Sequence, residues 1–240
     1  MQEPHIASAF DRDLEAVQAM LMKMGGLVES AIFESAHALA DRDVDRAEAV
    51  IKGDKTIDAL DEQVNEETVR IMALRAPMGS DLRTLLSVIK ISAGLERMGD
   101  YAKNLAKRTA VLAGQPPLNG SDQALKRMAK EVEMMLKDAL DSYIARDAKL
   151  AEDVRCRDQD VDAMYNALFR QFLTYMMEDP RNITPCMHLH FIAKNIERMG
   201  DHVTNITEQV IFLVTGEMPD ESRPKQDSTV VWEDVGQDDI

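Results

Sequence analysis

Leu95-Glu96-Arg97-Met98-Gly99-Asp100-Tyr101-Ala102-Lys103-Asn104-Leu105 recurs in register as Ile196-Glu197-Arg198-Met199-Gly200-Asp201-His202-Val203-Thr204-Asn205-Ile206. Self-similarity at this separation divides the chain into two comparable halves before any local structure is assigned. In each copy a Glu and an Asp are four residues apart and an Asn follows four further on. On a helix, that spacing stacks three oxygen-bearing side chains along one face. A single such pair in a chain with 43 acidic residues says little, since solvated helix faces produce it freely. Two features make the repeat informative. Glycine inside a helix costs about 1 kcal/mol relative to Ala, so its recurrence implies that another group packs close to the backbone. Carboxylates at i and i+4 repel, and oxygen-seeking hard cations relieve that repulsion.

Composition narrows the rest. The chain has 240 residues, is 45% hydrophobic and only 5% aromatic, and is rich in helix formers. Its formal charge of −15 argues against binding the nucleic-acid backbone and fits attraction of cations or of a basic partner surface. The start, Met1-Gln2-Glu3-Pro4-His5-Ile6, lacks the pattern of a secretory signal, and no uncharged apolar run reaches membrane-span length. Cys156 and Cys186 form no disulfide framework, so a cytoplasmic protein with reduced thiols is expected.

The apolar positions have helical periodicity. Leu14, Val17, Leu21, Met24 and Val28 form one stripe on a first helix running to about Ala40, with a kink allowed at Gly25-Gly26. Asp43 caps a second helix that stops before Pro77. Ser80 is expected to cap a third, which ends near Ala113. Gly114-Gln115-Pro116-Pro117-Leu118-Asn119-Gly120 is a linker. A fourth helix follows, capped by Ser121 or Asp122. A fifth begins after Ala145-Arg146-Asp147, and a sixth, with Thr184-Pro185 at its start, reaches about Val214. The expected architecture is all-α: two pseudo-symmetric three-helix bundles over residues 1–114 and 120–214. Residues 215–240 are expected to form a disordered acidic tail with Trp232 near its end.

Aligning the halves exposes a second repeated acidic pair: Asp54 and Asp58 correspond to Asp158 and Asp162. If helices two and three form an antiparallel hairpin turning near Pro77, residues equidistant from the turn lie side by side. Asp58 then faces Glu96, and Asp54 faces Asp100. The same construction about Asp179-Pro180 pairs Asp162 with Glu197 and Asp158 with Asp201. Four carboxylates per half should therefore converge on a cation, with Asn104 and Asn205 as further oxygen donors. The helical wheel places Glu96 and Asp100 beside the apolar seam, so a surface groove open to hydrated ions is expected. Oxygen ligands of this kind suit divalent ions and some iron sites alike.

These repeated motifs, the preceding Asp81-Leu82-Arg83 and the six-helix layout resemble the PhoU family over about residues 5–214. The resemblance implies paired three-helix bundles, metal-binding acidic motifs and a role in silencing the phosphate-starvation response. It implies as partners the ATPase subunit of a phosphate importer and a sensor histidine kinase. The expected assembly is a homodimer. No counterpart of Asp81-Leu82-Arg83 precedes the sixth helix, so partner contacts of Asp81 and Arg83 belong to the first half alone. Arg97 and Arg198 are further candidate contacts, to a partner or to phosphate.

A ferritin-like carboxylate-bridged metal enzyme or storage protein needs Glu-x-x-His on two helices, and only Glu34-Ser35-Ala36-His37 is present. Cys186-x-His188-x-His190 lacks the paired spacing of a zinc site. No phosphate-binding glycine loop or nucleophile elbow occurs, so a regulatory binding protein rather than an enzyme is expected.

Overall fold

The computed structural model describes residues 3–118 and 120–219, in which the chain forms six long α-helices and no strands. They are α1 (Glu3–Asp41), α2 (Val44–Arg75), α3 (Ser80–Ala113), α4 (Ser121–Ala145), α5 (Ala148–Glu178) and α6 (Ile183–Thr215). A 3₁₀ turn at Pro180–Asn182 leads into α6. The expected tail and Trp232 lie outside the described residues.

α1, α2 and α3 pack on one another, as do α4, α5 and α6. The halves meet where α1 lies against α4 and α3 against α6, which leaves α2 and α5 on opposite outer flanks. Tyr101 and His202 occupy the same position in the repeat, and their ring centroids are 5.7 Å apart across the α3–α6 seam. The pseudo-two-fold axis therefore passes between them. One continuous apolar core runs through both halves, from Val17, Leu21 and Met24 through Leu95 and Met98 to Ile196 and Met199. Each large side chain fully buried there contributes about 1.5–3 kcal/mol.

α1 runs unbroken through Gly25-Gly26. A Cβ on Gly25 would lie 2.5 Å from Leu140 Cδ1, so this glycine lets α4 approach α1. Among the described residues α1 alone, over Ala9–Asp41, is long and apolar enough to cross a membrane by length and composition. Charged residues such as Lys23 and Glu29 interrupt its apolar run and hid this from the sequence reading. In the fold its stripe of Val17, Leu21, Met24, Val28 and Ile32 is buried in the core.

The duplication extends to the turns. Asp43 and Asp147 cap α2 and α5, accepting hydrogen bonds from first-turn amides. Arg42 and Arg146, just before them, both have left-handed backbones (φ 57° and 50°). Arg42 also ties the halves together. Its guanidinium donates to the Leu112 carbonyl and to Asp122 Oδ2, the latter at 2.8 Å. That use of Asp122 corrects the capping expectation: α4 starts after Gly120 with no side-chain cap. Ser80 is likewise the first helical residue of α3 rather than its cap, since Gly79 takes the left-handed turn there. α6 begins before Thr184, with Pro185 in its first turn, where a missing amide costs nothing.

Candidate functional site

The hairpin about Pro77 places the acids of α2 beside those of α3. Asp54 is buried, and Lys103 Nζ donates to its Oδ2 and to Asp100 Oδ1, the latter at 2.6 Å. The ammonium thus joins α2 to α3. Burial pulls the Lys103 pKa down, but the bonds to Asp100 and Asp54 outweigh it and hold the group well above the ordinary lysine range. The other Asp54 oxygen, Oδ1, is buried with no hydrogen-bond partner. It lies against Gly99, where a Cβ would meet Ile57 at 3.1 Å and Asp54 Oδ1 at 3.5 Å. The recurrent glycine therefore admits the facing helix of its own bundle.

Asp58 is exposed on α2, and Glu96 and Asp100 are half-exposed on α3. Partial desolvation of its carboxyl against the neighbouring helix, reinforced by Asp54, raises the Asp58 pKa even though the residue is exposed. Burial and then Asp100 raise that of Glu96, with smaller contributions from Asp61 and Asp58. Asp58 and Glu96 therefore each feel carboxylates of the facing helix. A cleft of about 240 Å³ between α1 and α2, walled by Leu27, Ala31, Val50 and Ile57, also borders Asp54.

The second half repeats the placement at greater depth. Asp158, Asp162 and Glu197 are 1%, 4% and 6% exposed, and only Asp201 remains half-exposed. A Cβ on Gly200 would lie 2.6 Å from Asp158 Oδ1, a closer approach than at Gly99. Glu197 Oε1 accepts from Lys194 at 2.9 Å, while its Oε2 is buried without a hydrogen-bond partner. Burial raises the Glu197 pKa, against Lys194 and with help from Asp201 and Asp162. Solvent access of the kind expected at the acids is thus found in the first half only. In the second half the acids are covered. Tyr165, which replaces Asp61 in the repeat, is buried beside them, with Lys194 Nζ 4.9 Å from its ring centroid.

Lys103 and Lys194 were not among the expected site residues. Their signal was legible as Asp100–Lys103 and Lys194–Glu197 pairs at i,i+3. The two lysines stand at opposite ends of the motif. Thr204 occupies the repeat position of Lys103 and turns its hydroxyl back to the Asp201 carbonyl at 2.7 Å. Ala93 occupies that of Lys194.

The remaining candidates separate by environment. Arg97 is 62% exposed and only loosely paired with Glu96 and Asp100, at 3.6 and 4.0 Å. Arg198 is exposed on α6, and both arginines lie close enough to His202 to oppose its protonation, although burial is the larger cause of its lowered pKa. Asn205 is exposed and Asn104 half-buried. Asp81 is exposed, but Arg83 is half-buried, stacked 5.6 Å from the Phe212 ring beside Gly216. Arg83 therefore joins the start of α3 to the end of α6.

Among the described residues, no three His, Cys, Asp or Glu side chains have their donor atoms arranged to hold a metal ion. The acidic clusters nonetheless fit a hard cation in donor type, all oxygen, and each holds a buried carboxylate oxygen without a hydrogen-bond partner, Asp54 Oδ1 and Glu197 Oε2. The other ligand sets are engaged elsewhere. Glu34 pairs with Arg46, and His37 bonds the Phe33 carbonyl. Cys186 is buried, which raises its thiol pKa, while His190 sits among Tyr165, Phe169 and Phe191.

Comparison with known proteins accounts for both halves. The PhoU domain matches residues 21–109 and again residues 125–210. A phosphate-specific transport system accessory protein PhoU homolog of Rhizobium meliloti is 45% identical over 229 residues, covering 95% of this chain and 97% of that one. Its counterpart in Caulobacter vibrioides is 44% identical over 223 residues, covering 93% and 97%. The crystal structure of PhoU from Pseudomonas aeruginosa superposes with a TM-score of 0.84 at 38% identity, covering 87% of this chain and all of that one.

Proposed function

This chain belongs to the PhoU family, and from that premise we propose that it is a cytoplasmic adaptor that restrains phosphate import and phosphate-starvation signalling. The observation that carries the reading is the full-length similarity to relatives named as accessory proteins of the phosphate-specific transport system, spanning both acidic motifs. The partners of this reading are the importer's ATPase subunit and a sensor histidine kinase, met by a homodimer rather than by a catalytic site. The two acidic clusters serve as seats for divalent or iron-type cations. Once bound, a cation would neutralise carboxylates that the fold crowds together and would tie α2 to α3 or α5 to α6.

A strain lacking the gene should express its phosphate-starvation genes in phosphate-rich medium, and the intact gene should restore repression. The purified protein should co-elute with the importer's ATPase subunit. Normal repression in the deletion strain, together with no association at any divalent-ion concentration, would overturn the reading.

A further inference from the structure

We propose that the cleft between α1 and α2 is a socket for an arginine side chain of a protein partner, a group that the second half supplies from its own helix. The halves align without gaps through their first two helices, because Arg42-Asp43 and Arg146-Asp147 make the same turn before α2 and α5. Gly53 then corresponds to Arg157, Leu27 to Glu131, Ala31 to Met135 and Glu34 to Asp138. Arg157 reaches from α5 across to α4, where it donates to Asp138 Oδ2 at 2.5 Å and to Glu131 Oε1 at 3.2 Å. Gly53, Leu27 and Ala31 bring neither that head nor the bulk of Met135. Between α1 and α2 these same positions line the cleft of about 240 Å³.

Gly53 carries the argument further. Glycine destabilises a helix interior relative to Ala, and Gly99 and Gly200 each stand where a facing side chain packs close. At Gly53 an added Cβ would meet nothing within 4 Å, so no contact inside the fold requires a glycine there. A long side chain at that position would close the cleft to an outside occupant. The lining selects the occupant's chemistry. Leu27, Ala31, Val50 and Ile57 suit a methylene stem. Glu34 keeps the acidic character of Asp138. Arg46 pairs with its Oε2, which leaves Oε1 to accept from a second guanidinium. Arg46 also lies 3.6 Å from Asp41, which offsets its repulsion of an incoming cation. The formal charge of −15 draws a basic partner segment toward this surface. No metal enters the contact.

The test is a titration of the full-length protein with the peptide acetyl-Ala-Arg-Ala-amide, followed through the NMR shifts of the Leu27, Ala31, Val50 and Ile57 methyl groups. The peptide should bind saturably with a Kd on the order of 1 mM, the scale of a single side chain. Counterparts with citrulline, which is neutral and nearly the same shape, or norleucine, which is only apolar, should bind at least roughly fivefold more weakly. Gly53→Ala should bind as wild type does. Gly53→Arg should stay folded and bind at least about tenfold more weakly, because its own guanidinium takes the place. Equal binding of the three peptides, full binding by Gly53→Arg, or no shift at these methyls with any peptide would overturn the socket. None of these outcomes bears on phosphate repression or on cation binding, which are tested separately.

Discussion

Asp58 and Asp162 occupy the same position in the two halves, yet one stands in solvent and the other is 4% exposed. Glu96 and Glu197 differ in the same sense. A shared Glu-Arg-Met-Gly-Asp motif thus builds an open cluster on α2 and α3 and a covered one on α5 and α6. Residues outside the motif make the difference. Tyr165 in place of Asp61 turns a polar flank into a buried aromatic one that packs under Lys194, and Thr204 stands where the first half has Lys103. Duplication has preserved the backbone register while the two sites have separated in burial and charge.

The glycines give the largest expected contrast. At Gly200 an added methyl meets the oxygen of a buried carboxylate at 2.6 Å, so Gly200→Ala should cost about 1–3 kcal/mol through overpacking. At Gly99 the nearest contact is the end of Ile57 at 3.1 Å, and the roughly 1 kcal/mol helix-propensity gain offsets much of the clash. Gly99→Ala should therefore lie near neutrality. Urea denaturation of the two variants measures the difference directly. Equal effects would mean that the halves pack alike.

Replacing Lys103 by Met should destabilise the metal-free protein by roughly 1–2 kcal/mol, because buried Asp54 loses its charge-assisted hydrogen bond. The partial exposure of Lys103 and Asp100 keeps the loss below that of a fully buried pair. Chemical denaturation in chelator would detect it. A variant as stable as wild type would show that the bridge contributes nothing.

The smallest effect is a pH dependence. The pKa of Glu96 is raised by burial and by Asp100. Its stabilising contribution is fully present below the unfolded-state carboxylate pKa and is lost as pH rises through the folded value. Glu96→Gln should accordingly exceed wild type at neutral pH by a few tenths of a kcal/mol, the scale of an i,i+4 repulsion, and lose that advantage as the medium turns mildly acidic. Parallel stability curves across this range would remove Glu96 from the coupled cluster.

Much of this was readable in the chain. The three-four spacing of Val17, Leu21, Met24 and Val28 marked the buried stripe of α1, because helical periodicity is a property of the local sequence. Equidistance from Pro77 was enough to pair Asp54 with Asp100, because a short turn fixes the register of an antiparallel hairpin. Depth was not readable. Whether Asp162 is covered depends on how α5 packs against α6, which is a matter of tertiary structure. Helix starts at Ser80 and Ser121 were misassigned as caps because glycines with positive φ immediately precede them and make the turns. Arg83 was read as a partner contact, and its packing on Phe212 was not readable because that residue is remote in sequence.

Carboxylates that seat a cation and carboxylates that only line a helix face respond differently to metal. Thermal unfolding of wild type and of the Glu96→Gln/Asp100→Asn and Glu197→Gln/Asp201→Asn variants, each in chelator and in excess Mn²⁺, separates the two most directly. The ion should raise the wild-type midpoint through preferential binding to the folded state. That rise should shrink when either pair is neutralised. The same small response in all three proteins would contradict cation seating and return both motifs to a role in helix packing alone.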